Sequence, residues 1–255
     1  MIPANIMRLA TILILYIGGI WLMLAGHFWL GTLLHFIVVA PVLYGTLNPH
    51  SALFGPIQRR PSDQRLWLTL DDGPDPIDTP AVLDLLRDRG VKATFFVIGE
   101  KAQQRPELIK RIIAEGHQLG NHTQSHPQGS FWCLGPLRTS REIERCQNTL
   151  KEITGDGPKI FRAPVGHHNL FVHPILKRHN MRLVGWTARG LDGVSKDIDT
   201  ITTRLQSSIT SGSIILAHEG TGIAKDIVTS ILDHAEENKW EFIDPMASSP
   251  RSESY

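Results

Sequence analysis

Two acids stand side by side at Asp71 and Asp72, in Thr-Leu-Asp-Asp-Gly-Pro, directly after the apolar run Leu66-Trp-Leu-Thr-Leu70. Adjacent carboxylates at the end of a strand are costly unless they are paired or bind a metal. The bland alternative is a turn, since Asp and Gly are good turn formers. Fifty residues on, His122-Thr-Gln-Ser-His126 sets two imidazoles at i and i+4. On one helical turn, or in a tight loop, that spacing lets both rings face one ion at about 2.0–2.1 Å. Two histidines alone make a weak site, and isolated H-x-x-x-H pairs are common without any metal. Asp72 can supply the missing carboxylate. That gives a two-His-one-carboxylate set, which leaves positions open for water and substrate.

Two further residues sit where strands should end. Arg162 precedes Ala-Pro-Val-Gly166; a guanidinium there could hold a carboxylate ionised, or be an ordinary surface arginine before a Pro-Gly turn. His218 follows Ile214-Ile-Leu-Ala217 and could serve as a general acid or as a satisfied core histidine. No H-E-x-x-H helix is present, which excludes the common zinc peptidase pattern. The formal charge of +1, from 26 Lys+Arg against 25 Asp+Glu, provides no basic field for nucleic acid. Cys133 and Cys146 have no metal-type spacing and read as unpaired thiols rather than a disulfide.

These residues need a scaffold, and an alternation of strands and helices supplies one. Near-continuous apolar strands are expected at 65–71, 93–98, 118–121, 159–163, 182–187, 213–217 and 240–243. Helices are expected between them at 79–89, 106–115, 139–153, 172–179, 199–209 and 224–237, the first with Thr79 as N-cap and Pro80 at its first position. About seven β/α units in roughly 190 residues predict a parallel sheet covered by helices, curled into a distorted (β/α) barrel. Chemistry in such a fold gathers after the C-terminal ends of the strands. Asp71-Asp72, His122 to His126, Arg162, Asp192 and His218 all fall there.

The N-terminus differs from the rest. No Asp, Glu, Lys or Arg occurs between Arg8 and Arg59. An apolar stretch over 6–47 is about twice what one straight helix needs to cross a hydrocarbon core. Two spans with a break near Gly26 to Gly31 fit it, as a transmembrane helical hairpin over 1–47 that anchors the chain in a bacterial-type inner (cytoplasmic) membrane. A cleaved signal peptide is the alternative, but the second apolar run, 33–44, would survive any cut near Ala25. Arg8 before the hairpin and Arg59, Arg60 and Arg65 after it favour a cytoplasmic catalytic domain. Residues 48–64 read as a linker, 65–245 as the catalytic domain, and 246–255 as a polar, disordered tail.

Taken together, over roughly 67–245, these motifs resemble the series of the carbohydrate esterase family 4 polysaccharide deacetylases, whose common unit is the NodB-homology domain. The resemblance implies Asp71 as general base and Asp72, His122 and His126 as ligands of one divalent ion. Zinc comes first, with cobalt, nickel or manganese as alternatives. It implies Arg162 as the residue orienting the base, and His218 as general acid paired with Asp192. Val165 would offer its backbone N–H to an oxyanion, at a position where the family usually has Tyr. Leu216 would line the acyl pocket, and Trp186 belongs with the fourth motif. That motif often reads Asp-x-x-Asp-Trp in the family; here the positions are Arg189, Asp192 and Gly193, so an aromatic wall of the sugar groove is missing. Residues 130–136, Ser-Phe-Trp-Cys-Leu-Gly-Pro, either replace that wall with apolar surface or simply pack on the barrel.

The implied activity is removal of an N-acetyl group from an N-acetylated sugar, with the membrane suggesting a lipid-linked or cell-envelope glycan. Deformylation or O-acetyl ester hydrolysis on the same site is an alternative. A non-catalytic carbohydrate-binding membrane protein is another, but it is at odds with the presence of both Asp71 and His218.

Overall fold

A computed structural model of the chain describes residues 4–247, with side chains described from residue 10. Most of the tail expected to be disordered, 248–255, lies outside the described residues, as does the side chain of Arg8. Two helices come first, α1 (Ala4–Leu24) and α2 (Phe28–Leu47). The break falls at Ala25 to His27, as the sequence suggests. The helices approach closely at glycines: a Cβ on Gly31 would lie 2.6 Å from the Gly19 carbonyl oxygen. The α2 helix is long and apolar enough to cross a membrane, whereas the apolar stretch described in α1, Ala10–Leu24, is shorter.

The remainder alternates: β1 (Ile57–Gln58), β2 (Trp67–Gly73), α3 (Asp78–Arg89), β3 (Thr94–Val97), α4 (Gly99–Gln104), α5 (Pro106–Ala114), β4 (Gln118–Asn121), α6 (Pro136–Thr154), β5 (Ile160–Phe161), α7 (Val172–Arg178), β6 (Arg182–Val184), β7 (Ala188–Arg189), α8 (Ile198–Ser208), β8 (Ile214–His218) and α9 (Ala224–Glu237). The eight strands form one all-parallel sheet in the order β1-β6-β5-β4-β3-β2-β8-β7. Its curl is bridged by the chain itself. Gly185 N–H donates to Gln58 O at 2.8 Å and Thr187 N–H to Ile214 O at 2.9 Å, so residues 185–187 run from one edge of the sheet to the other. The result is a curled half-barrel.

Several local details depart from the sequence reading. β1 lies inside the stretch expected to be a linker. The strand expected at 240–243 is reduced to a bridge between Leu66 and Phe242. Helix α3 starts at Asp78 rather than after Thr79, with Ile77 at the cap and no side-chain cap bond; just ahead of it Asp75 Oδ1 accepts from the N–H groups of Ile77 and Asp78, each at 2.9 Å. The Thr79 hydroxyl is occupied elsewhere, accepting from Asp75 N–H and donating to Glu219. Both cysteines are free: Cys133 is exposed, and burial pushes the Cys146 thiol up to about 12.

The pleat sorts the side chains. Along β2, Leu66, Leu68 and Leu70 pack outward under the helices with Val82, Leu86, Ile215, Ala217 and Ile231. Trp67 faces inward with Phe96, Ile160, Val184, Trp186, Ile214 and Leu216. The period of two that puts Trp67 inside does the same for Thr69 and Asp71. Along β8 it places Ile214, Leu216 and His218 together. The inward row is therefore apolar at the base of the curl and becomes chemical at its C-terminal rim.

Candidate functional site

Asp71 and His218 are paired residues in the parallel ladder of β2 and β8. Each is the last inward residue of its strand. A regular strand would aim Asp72 away from Asp71. Instead the register shifts between Asp71 and Gly73, and Asp72 takes φ 72°. This irregularity turns both carboxylates to the same locus. His122 Nε2 lies 3.4 Å from Asp72 Oδ1 and 3.7 Å from Asp71 Oδ2, and His126 Nε2 lies 3.1 Å from Asp72 Oδ1.

The two histidines sit in a tight loop after β4, not on a helix. Thr123 and His126 both have positive φ, at 69° and 51°. Side chains hold this loop in place. Asn121 Oδ1 accepts from Thr123 N–H at 3.0 Å, Thr123 Oγ1 from His126 N–H at 3.2 Å, and Glu142 from both the N–H and the hydroxyl of Ser125 at 2.9 Å. His122 Nδ1 meets the Arg162 carbonyl at 2.8 Å, leaving Nε2 free to face the carboxylates.

One ligand atom from each of Asp72, His122 and His126 lies within 4.8 Å of the others. Asp72 Oδ1 is buried between the Nε2 atoms of His122 and His126, and a histidine whose second nitrogen is fixed by a backbone carbonyl is the usual ligand arrangement. Burial, followed by the charge of His122, pushes the His126 imidazole down to about 3, so it stays neutral. For Asp72, burial works the other way but is outweighed by the hydrogen bond and charge of His122, which hold its carboxyl well below the usual range. The donor set fits one divalent cation.

Arg162 is the largest fully buried side chain. Its Nη1 donates to Asp71 Oδ1 at 2.7 Å and to Thr69 Oγ1 at 2.8 Å, Nη2 donates to Gly185 O at 2.9 Å, and the guanidinium lies 4.2 Å from the Phe96 ring centre. Across the site, Asp192 is buried at 1% exposure and accepts twice from His218: from Nδ1 at 2.9 Å and from the backbone N–H at 2.7 Å. Burial opposes a charged imidazole here. The hydrogen bond and charge of Asp192, then the charges of Asp71 and Asp72, override it and raise His218 to about 9. These contacts favour the imidazolium form of His218.

A cavity of about 160 Å³ joins these groups, lined by Asp71, Asp72, His122, His126 and His218 together with Val165, Trp186 and Leu216. All ten residues singled out in the sequence therefore gather at one mouth, with Arg162 and Asp192 behind it. Val165 takes φ 58°, half-exposed, and among the described residues its N–H finds no acceptor. The apolar stretch 130–136 is not at the mouth: Phe131 and Leu134 pack with Ile143 and Phe161. Arg189, Leu191 and Val194 line that side instead.

Sequence reasoning missed the groups that hold the Asp72 bulge. Lys101 Nζ donates to the Asp72 carbonyl at 2.7 Å. Glu219, 2% exposed, receives the Thr79 hydroxyl, and a Cβ on Gly73 would collide with its Oε2. Burial pushes Glu219 up to about 8. An acid next to a candidate acid, Ala-His218-Glu219 at a strand end, is the signal that could have found it.

The chain is similar to known proteins. The profile of the family described as Polysaccharide deacetylase matches residues 58–184. The chain is 36% identical over 156 residues to a chitooligosaccharide deacetylase of Sinorhizobium fredii, covering 61% of this chain and 72% of that one. It is 37% identical over 158 residues to a peptidoglycan-N-acetylglucosamine deacetylase of Bacillus cereus, covering 61% of this chain but only 56% of the relative's length. Among solved structures, the Bc1960 peptidoglycan N-acetylglucosamine deacetylase superposes with a TM-score of 0.67 at 32% identity, over 73% of this chain and 88% of that one. The chain belongs to the polysaccharide deacetylase family of carbohydrate esterase family 4, hydrolases that share this NodB-homology fold.

Proposed function

We propose that the chain is a metal-dependent hydrolase that removes the N-acetyl group from an N-acetylated sugar, with residues 65–245 as its catalytic domain. The observation that carries this reading is the ladder pairing of Asp71 with His218. It sets a base held by Arg162 and an acid held by Asp192 around the Asp72, His122 and His126 set. Those three residues would hold one divalent ion, zinc first, which when bound polarises an acyl carbonyl and lowers the pKa of water from about 15.7 towards 7.

The chain's own groups then divide the work. Asp71, fixed by Arg162, takes a proton from the attacking water. The free N–H of Val165 points a dipole at the developing oxyanion. His218 delivers its proton to the leaving nitrogen, without which an amine is a poor leaving group. Leu216 and Trp186 pack against the acyl group. Amide hydrolysis needs this pairing of base and acid more than ester hydrolysis does, which favours N-deacetylation over the O-esterase alternative.

Residues 1–47 act in this reading as a helical hairpin anchoring the chain in a bacterial-type inner membrane, in which α2 is the helix long and apolar enough to cross, and the substrate is a lipid-linked or envelope glycan. Acetate release from a panel of N-acetyl sugars by the metal-reconstituted full chain tests the function. Formate from an N-formyl sugar alone, or acetate from O-acetyl esters alone, would move the reading to the alternative hydrolases. Sugar binding without any product would make the chain a binding protein.

A further inference from the structure

The end of the apolar hairpin lies at the mouth of the site. Helix α2 ends at Leu47, and Pro49, two residues later, packs against Gly166: a Cβ on Gly166 would lie 2.6 Å from Pro49 Cβ and would collide with Trp186. The ring of the next residue, His50, stands edge-on to Trp186 at 5.8 Å. Arg189, which lines the cavity, places its guanidinium 5.7 Å from the Trp186 ring centre. Trp186 is thus the floor under a cationic group on the side of the mouth that faces α2.

Arg189 and Arg59 are exposed, and among the described residues neither makes an ion pair. Burial, then the charges of Arg59 and Arg189, push the His50 imidazole below its ordinary value; burial, then Arg189, do the same to His167. Two arginines and His50 therefore gather around Trp186, with His167 close enough to feel the Arg189 charge and no ion-paired carboxylate on either arginine among the described residues, an arrangement that favours an incoming anion. The position matters as much as the charge. Arg189 stands where the family resemblance places the first Asp of Asp-x-x-Asp-Trp, so the sign at this edge of the groove is reversed.

We propose that Arg189, with His50, His167 and Arg59, forms an anion subsite for a phosphate ester carried by the N-acetylated sugar, so that the substrate is a sugar phosphate or phospholipid-linked sugar. Guanidinium is suited to a phosphate through paired, charge-assisted hydrogen bonds. The subsite lies between the acyl cavity and the end of α2, where the phosphate of a lipid-linked sugar would sit at a membrane surface. This inference rests on the deacetylase reading.

The test uses the full chain in detergent with its metal restored and three substrates: N,N′-diacetylchitobiose, N-acetylglucosamine 1-phosphate, and a short polyprenyl phospho-N-acetylglucosamine. The expected kcat/KM ratio of the sugar phosphate to the neutral disaccharide is about tenfold or more at low salt, falling as ionic strength rises. Arg189→Gln should bring that ratio close to one, and Arg189→Asp should invert it. His50→Ala, on an exposed segment, should lower it in the same direction if Arg189 variants fold poorly. A further gain for the polyprenyl substrate assigns the phosphate to a lipid carrier; equal rates for both phosphates assign it to a soluble sugar phosphate. A wild-type ratio near one, or a ratio insensitive to Arg189→Gln, overturns the subsite. Acetate from none of the three overturns the deacetylase reading instead. In that case calorimetric binding of N-acetylglucosamine 1-phosphate to wild type and Arg189→Gln decides the subsite alone: tighter binding by wild type supports it, and equal binding overturns it.

Discussion

Asp192→Asn should turn a rate defect into a pH-dependent one. Asp192 accepts from both the imidazole and the backbone N–H of His218, and it is the largest influence raising that imidazole to about 9. An asparagine has one acceptor oxygen and one donor nitrogen in the same place. If the oxygen keeps the backbone N–H, the amide NH₂ faces Nδ1 and favours the neutral ring. Burial, which opposes the charged form, remains. The charges of Asp71 and Asp72 still favour the imidazolium, so the imidazole should fall toward its ordinary 6.5.

The consequence can be worked through. A group at about 9 is nearly all protonated at pH 7.5, whereas one at 6.5 is roughly a tenth protonated. The loss of acid catalysis then reaches at most about tenfold at pH 7.5 and close to a hundredfold at pH 8.5, and stays below about twofold at pH 6. A cation at Asp72 would lower the same limb in both proteins and leave their difference to Asp192. The assay is acetate release across pH 5.5–9.5, comparing the basic limb of kcat for wild type and variant. A defect of the same size at every pH would refute the argument, because it would mean that Asp192 positions the ring without setting its charge.

Asp72→Ala and His126→Ala should each lose bound metal, read by metal content after dialysis, and lose activity with it. Arg162→Met leaves Asp71 buried without its partner and should cost about 3–5 kcal/mol in denaturant unfolding; the double variant with Asp71→Leu should recover part of that cost. Gly73→Ala drives a Cβ into the Glu219 carboxyl and should lower the melting temperature. Glu219→Gln should change how stability depends on pH. The buried acid keeps its proton up to about 8, while an unfolded one releases it near 4.5. The native state therefore loses stability as pH rises between those values, up to a ceiling of roughly 5 kcal/mol at about 1.4 kcal/mol per pH unit. The glutamine variant should lack that slope in melts at pH 5 to 8.

The parts of this fold that repeat were legible, and the parts that break a pattern were not. Apolar strands and the α9 pattern were readable because each obeys its period over several residues. The His122 and His126 pair was visible as spacing, but not as a loop, since i and i+4 fits both geometries. The strand at 57–58 was hidden by its prolines and by having only two residues; its identity depends on β6, over a hundred residues away. The fade of the last strand has the same cause, a partner too far off for any local signal. Glu219 was overlooked because a lone acid after His218 looks like solvated surface until α3 covers it. Arg189 was noted only as a missing Asp, and its meaning came from the residues that the fold brings around Trp186.

The irregular residues also explain why the site has its own scaffold within the fold. Asp72, Thr123, His126 and Val165 all hold positive φ without being glycine, each at an expected cost on the order of 1–3 kcal/mol. Asp72, His126 and Val165 line the cavity, and Thr123 is buried in the loop between the two histidines. Three are visibly supported: Asp72 by Lys101 at its carbonyl, and Thr123 and His126 by the Asn121 and Thr123 side chains. Val165 is followed by Gly166, pressed between Trp186 and Pro49, so its strained turn depends on the segment that leaves α2. On that geometry, disturbing Pro49 should reach the Val165 N–H before it reaches the Asp72, His122 and His126 set. Loss of oxyanion stabilisation with metal content intact is the signature that the segment after α2 belongs to the active site.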